Sequence, residues 1–409
     1  MTRWNWAAPL LACASLYACG SPSDATTLES SSIEQSTAAE TPSPSELAER
    51  RKPGHVGVSF DYAYSDIPIA GVAGGRDVVF VGQPIDGKVV ALSRFTGEPV
   101  GELPSPTGGF AVPFIIHTVG GPDEGRVTVL GAGGYPSPKP FVPANPTLYE
   151  FSYHYDRVHG FTATRTRDIP FTSVLVGFAE DFLHLDDGRY LVSDAILGSI
   201  WVVQRDGSIA PGIVPKTWNA EDRIPQLAFC ETGPTVQVNG YPFRFSGGTQ
   251  PGVSPLAVRQ GTVYFNTTCG RGLYRFPLRI LDDPRQPYQR TRDIRLVRAV
   301  PPNVEMEELL DFTFDPYDPS DHWLYAADAL NLRILRIDVE SGRRQVVAED
   351  NRRLDFPSSL GFLPPVSGTA GLSTLVVVSN QQERTPLTND AVTTTTFQLP
   401  FIVSKVVVP

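Results

Sequence analysis

Gly188-Arg189-Tyr190-Leu191-Val192-Ser193-Asp194, followed by Gly198-Ser199-Ile200-Trp201-Val202-Val203, reads as two short strands joined by a polar turn that begins at an aspartate. The design returns at Trp323-Leu324-Tyr325-Ala326-Ala327-Asp328 with Leu332-Arg333-Ile334-Leu335-Arg336-Ile337-Asp338. A third copy is Gly261-Thr262-Val263-Tyr264-Phe265-Asn266 with Gly272-Leu273-Tyr274-Arg275-Phe276. Weaker copies lie at 77–81 with 88–93, at 126–130 with 147–152, and at 373–380 with 401–408, which makes six. A further short strand precedes the four clearest hairpins, at Phe182–Leu185, Leu256–Val258, Phe312–Phe314 and Leu360–Phe362, and a fourth strand is expected in each connecting segment. Four-stranded units repeating every ~50–70 residues fit propeller blades, because a sandwich would spend its seven or so strands within about 100 residues. The expected fold class is therefore all-β: a six-bladed β-propeller of four-stranded antiparallel blades around a central channel. The Asp or Asn that closes the second strand, at Asp194, Asn266, Asp328 and Asn380, reads as a turn cap whose side chain bonds the turn backbone.

The composition agrees with this. Hydrophobic residues at 41% supply a core, while Gly 36 and Pro 38 cluster between short runs of Val, Leu, Tyr and Phe. A formal net charge of -10 argues against nucleic acid as a partner, since such affinity comes from Lys and Arg neutralising phosphates. The arginines between Arg285 and Arg298 are interleaved with Pro, Tyr and Asp and read as a solvated loop between blades. No GxSxG elbow is present, and Gly131-Ala132-Gly133-Gly134-Tyr135-Pro136 is broken by proline, so neither a serine hydrolase nor a phosphate loop is expected. A small-molecule ligand and a monomer are expected.

Residues 1–19 have a short basic region, an apolar stretch and then Leu16-Tyr17-Ala18-Cys19, which marks an exported chain. The last four resemble the lipobox of bacterial lipoproteins, which implies lipidation of Cys19 and a membrane contact through that anchor alone; an ordinary secretory signal cut nearby stays open. Residues 20–54 are rich in Ser, Thr, Glu, Ala and Pro, cannot bury enough surface to offset ordering entropy, and read as a tether before a propeller over 55–409. The remaining pair, Cys230 and Cys269, reads as a disulfide in an exported chain, with two buried thiols as the alternative.

The stretch Asp186-Asp187-Gly188 through Trp201, together with Gly261–Phe276 and Leu310-Asp311-Phe312-Thr313-Phe314-Asp315, resembles the SMP-30/gluconolactonase/LRE-like group over about residues 175–365. The resemblance implies one divalent metal at the axis, often calcium, held by Glu, Asn and Asp at the starts of several inner strands. Such a metal polarises a lactone carbonyl while a carboxylate activates water. Carried over by position, Asp311 is the acidic ligand and base, and Asp181, after Glu180, stands where the group often has Asn. Two places depart from the pattern: Ser254 stands where Asn is expected, and Ile67-Pro68-Ile69-Ala70 stands where a Glu belongs. Metal ligands expected on this basis are Asp181, Asp311, Glu180 and Ser254. His117 is a candidate to line the channel, whereas His184 is expected to pack between blades. Two functions stay open: a metal-dependent hydrolase of a lactone or ester, and a non-enzymatic ligand- or protein-binding propeller with a degenerate metal site.

Overall fold

The structure, a computed structural model, describes residues 58–65, 67–119, 125–133, 145–214, 235–244, 252–267, 272–299, 307–318, 322–365, 373–386, 389 and 391–408. Cys19, Cys230 and Cys269 lie outside the described residues.

The apolar runs form strands buried on both faces, which is why they read as near-continuous hydrophobic stretches and not as alternating ones. In Ile200–Val203, Ile200 and Val202 enter one core with Leu191, Phe265 and Phe276, while Trp201 and Val203 enter another with Ile115, Leu130 and Phe182. The same division recurs around the molecule, so that six apolar layers separate six four-stranded sheets.

Blade 1 comprises Ala70–Gly74, Val78–Gln83, Lys88–Ser93 and Pro99–Glu102; blade 2 comprises Pro113–Val119, Arg126–Gly131, Thr147–Asp156 and Gly160–Pro170. Blade 3 is built from Ala179–His184, Tyr190–Asp194, Ile200–Val203 and Ile209–Ile213, and blade 4 from Val253–Arg259, Thr262–Thr267, Gly272–Pro277 and Arg295–Ala299. Leu309–Phe314, Trp323–Asp328, Arg333–Asp338 and Arg344–Glu349 make blade 5. Blade 6 takes Pro357–Leu363, Ser373–Ser379 and Phe401–Val408, and its fourth strand is Val58–Ser65 from the other end of the chain. That closure was not legible in the sequence. It ties the ends together and removes the edge that an incomplete last blade would expose. Each inner strand touches the inner strands of the blades on either side, so the six form a ring around the axis.

The segment between Arg285 and Arg298 is more ordered than a solvated loop. It carries a 3-10 turn at Pro287–Asp293, and the buried Arg290 donates to the carbonyls of Gly212 and Asp283 at 2.7 Å each. A short hairpin, Val236–Val238 with Tyr241–Phe243, lies in the connection between blades 3 and 4. Its Val238 and Phe243 pack against Ala329, Leu330, Leu332 and Phe356 of blades 5 and 6, with Leu310 at the margin.

Candidate functional site at the axial bulges

Every inner strand is bulged near its start, with register shifts between Ala70/Val72, Pro113/Ile115, Ala179/Phe182, Ser254/Leu256, Leu309/Asp311 and Pro357/Ser359. A bulge inserts an unpaired residue and re-aims the side chains beside it. The residues just after the bulge are Val72, Ile115, Asp181, Leu256, Asp311 and Ser359. Asp181 and Asp311 are thus equivalent in blades 3 and 5, as their sequence context indicated. Glu180 sits in the bulge itself, where the other blades carry Gly71, Phe114, Pro255, Leu310 and Ser358.

The expected counterpart Ser254 is not at this level. Ser254 faces Asn266, as Ala179 faces Asp194, and the bulge at Pro255 moves Leu256 to the level of Asp181. Ser254 is 2% exposed, and its hydroxyl has no hydrogen-bond partner among the described residues. In blade 1 no carboxylate could stand at the bulge: Gly71 has a φ of 66°, and a Cβ there would lie 2.4 Å from the Phe114 carbonyl oxygen.

Asp181 is buried and its carboxylate is nearly saturated. Oδ1 accepts the Phe182 N–H at 2.7 Å and faces His117 Nε2 at 3.3 Å, while Oδ2 accepts the Leu256 N–H of blade 4 at 2.5 Å. Asp311 does the same between blades 5 and 6: Oδ2 accepts the Leu360 N–H at 2.8 Å and the Ser359 hydroxyl at 3.0 Å. Ser359 Oγ in turn accepts the Val72 N–H of blade 1 at 3.1 Å. These polar groups join consecutive inner strands where the bulges free backbone donors.

Crowding of carboxyls sets the electrostatics. Burial, then the charges of Asp181, Asp311 and Asp194, push Glu180 up to about 8. Burial and the charge of Asp181 push Asp311 up to about 7. Burial opposes the charged form of His117, but its hydrogen bond to Asp181 and the charges of Asp181 and Asp311 outweigh it and raise its pKa. The imidazole packs edge-on to Phe182, ring centroids 4.7 Å apart, and stays 28% exposed. His184 is half-buried against the edge of Tyr190, with its pKa lowered by burial, and takes no part in the axial cluster.

A carboxyl whose pKa is raised on folding keeps its proton in the native chain after the unfolded chain has lost it. The stability it contributes is whole below the unfolded pKa and falls as pH rises towards the folded one. Glu180 and Asp311 therefore make the native state lose stability between about pH 4 and pH 8. Glu180→Gln is expected to flatten this slope and to stabilise the protein at pH 8 by about 1–2 kcal/mol after allowance for partial exposure. Thermal melts from pH 5 to 9 check it; a variant that melts lower than the parent at pH 8 would contradict the assignment.

The donor set does not fit a divalent cation. Asp181 has both oxygens committed to backbone N–H groups, and the equivalent positions in blades 1, 2 and 4 carry Val72, Ile115 and Leu256. Among the described residues no group of three or more His, Cys, Asp or Glu side chains is placed to hold a metal ion.

No family profile matches the chain, and no curated protein sequence does so either. Solved structures do match. The major allergen Mala s 1 of Malassezia sympodialis aligns with a TM-score of 0.54 at 11% identity, over 84% of this chain and 94% of that one. A calcium-binding regucalcin from Agrobacterium tumefaciens aligns with a TM-score of 0.50 at 11% identity, over 87% of this chain and 97% of that one. A gluconolactonase from Xanthomonas campestris follows at 0.46, with 10% identity over 85% and 88%. By fold, the chain is a six-bladed β-propeller of the kind seen in regucalcin.

Proposed function

We propose that this chain is a ligand-binding propeller whose axial site works without a divalent metal, and that a small molecule is handled by the exposed edge of His117. The observation that carries this reading is the saturation of Asp181 by the backbone of its own blade and of the next. With Phe182, His117 and Leu256 already on it, Asp181 keeps only about one of the roughly four acceptor sites of a carboxylate, and among the described residues no group of three or more His, Cys, Asp or Glu side chains is placed to supply the about six to eight oxygens calcium takes. The resemblance to SMP-30/gluconolactonase-like proteins supports the propeller and the place of the site; the metal-dependent lactonase is the competing reading. We also propose that the chain is exported and displayed through Cys19, which Cys19→Ser should release or leave unprocessed, read by membrane fractionation.

Removal and addition of metal decide between the readings. The purified protein is expected to melt at the same temperature, within about 1 °C, after exhaustive chelation and in excess calcium, because binding to the native state alone would raise stability by mass action. A saturable rise with calcium, lost in Asp311→Asn together with chelator-sensitive lactone hydrolysis, would establish the lactonase instead.

A further inference from the structure

We propose that Lys405 is a carbon dioxide site, its side-chain amine taking up CO2 as a carbamate in the layer between blades 6 and 1. The chain carries most of its positive charge on arginine and has lysine at only five positions, Lys52, Lys88, Lys139, Lys216 and Lys405. Lys405 stands on the third strand of blade 6, directly opposite Val376. Val376 and Val403 enter the apolar layer shared with Val79 and Val81 of blade 1, so Lys405 occupies a place where the neighbouring positions are aliphatic. Its amine crosses to blade 1 and donates to the carbonyl oxygen of Arg94. Arg94 is itself buried, its guanidinium donating to the Arg76 carbonyl at 2.9 Å. An amine and a fixed guanidinium are thus brought together at the seam where the ring closes.

Carbamate formation needs an unprotonated amine, a path for CO2 and something to favour the anion that results. Burial, then the charge of Arg94, lower the Lys405 pKa to about 8, whereas an ordinary lysine at about 10.4 keeps its proton at neutral pH. The side chain is only partly buried, which leaves an approach from solvent. The nitrogen lone pair forms the C–N bond, one C–O π bond of CO2 opens to give the carboxylate, and the amine proton leaves to water. The carbamate nitrogen retains one N–H for the Arg94 carbonyl. Its negative charge lies in the field of the guanidinium, so the charge that disfavours the ammonium favours the product. CO2 is uncharged and only three atoms long; bulkier acyl or aldehyde reagents would have to part close-packed blades. This site shares no residue with the axial one and does not depend on its reading.

The experiment equilibrates the full chain with 13C-labelled bicarbonate at pH 7.5, traps carbamates by alkylation with triethyloxonium, and locates them by peptide mass spectrometry. The trapped mass is expected on Lys405 and not on Lys88, which is exposed and paired with Glu102 at 3.4 Å. The carbamate signal in 13C NMR should disappear in Lys405→Arg, which keeps a charged donor. Arg94→Met keeps the carbonyl but removes the charge, and it should lower carbamate occupancy by about threefold or more at fixed CO2. No trapped carbamate on Lys405 in the parent would overturn the proposal, and this outcome needs no variant to fold. Equal labelling of Lys88 and Lys405, or a mass on Lys405 that persists without CO2, would overturn it as well.

Discussion

Asp194→Ala is expected to cost about 3–5 kcal/mol, enough to leave a marginal propeller largely unfolded at ordinary temperatures. Asp194 is fully buried and bonds four backbone N–H groups. Oδ2 accepts from Gly177 at 2.7 Å, and Oδ1 accepts from Phe178 at 3.1 Å, Ile196 at 3.0 Å and Leu197 at 2.9 Å. The carboxylate thus holds the turn after its own strand and the approach to the inner strand of the same blade. Alanine would orphan all four donors in a place with little room for water, and each orphan costs about 1 kcal/mol or more. Asp194→Asn separates the contributions, because its oxygen can still serve the Phe178, Ile196 and Leu197 donors while its NH2 faces the Gly177 N–H. It should therefore cost clearly less than alanine. Denaturant unfolding measures both, and an alanine variant within about 1 kcal/mol of the parent would show that these bonds are replaceable.

The second large effect is expected at Arg384, where Arg384→Ala should cost about 3–5 kcal/mol and loosen the hairpin Val236–Phe243 from blade 6. The guanidinium bonds Asp355 at 2.6 Å, Glu383 at 2.8 Å and the Tyr241 hydroxyl at 3.1 Å, and its carbon lies 4.6 Å from the Tyr241 ring centroid. Asp355 also accepts from Asn239 of the hairpin at 2.6 Å. Without Arg384, two buried carboxyls lose their cation. Burial and the charge of Asp355 already push Glu383 up to about 8, so the variant can shed part of the penalty by keeping that proton at low pH. The loss should consequently grow as pH rises from 5 to 9. Amide exchange in Val236–Phe243 reads the local effect, and unchanged protection there would remove Arg384 as the anchor. Lysine should rescue little, since one ammonium cannot reach three partners set around a planar fork.

The chemistry at the axis divides between what residue types announce and what their surroundings allow. Asp181 and Asp311 stood out because each opens an inner strand in a recognisable repeat, and register confirms their equivalence. Their hydrogen bonds from Leu256 and Leu360 could not be read, since a backbone N–H donor leaves no mark in a sequence. His117 was legible only as a histidine after two isoleucines; its pairing with Asp181, 64 positions away, depends on two blades being neighbours. Ser254 was misplaced for a related reason. A bulge adds one residue without changing composition, so counting along Gly252-Val253-Ser254-Pro255-Leu256 puts the wrong side chain at the level of Asp181.

Local pattern alone determined the six hairpins, the inner strand before four of them, and the turn-capping role of Asp194, because strand burial and Asx-type turns act over a few residues and write themselves into short runs. Ring closure by Val58–Ser65, the seat of the Val236–Phe243 hairpin on blades 5 and 6, and the use of axial carboxylates as ties between blades were decided only by tertiary structure. Each joins segments distant along the chain, and their energies come from apolar surfaces and backbone donors that become neighbours once the blades have packed.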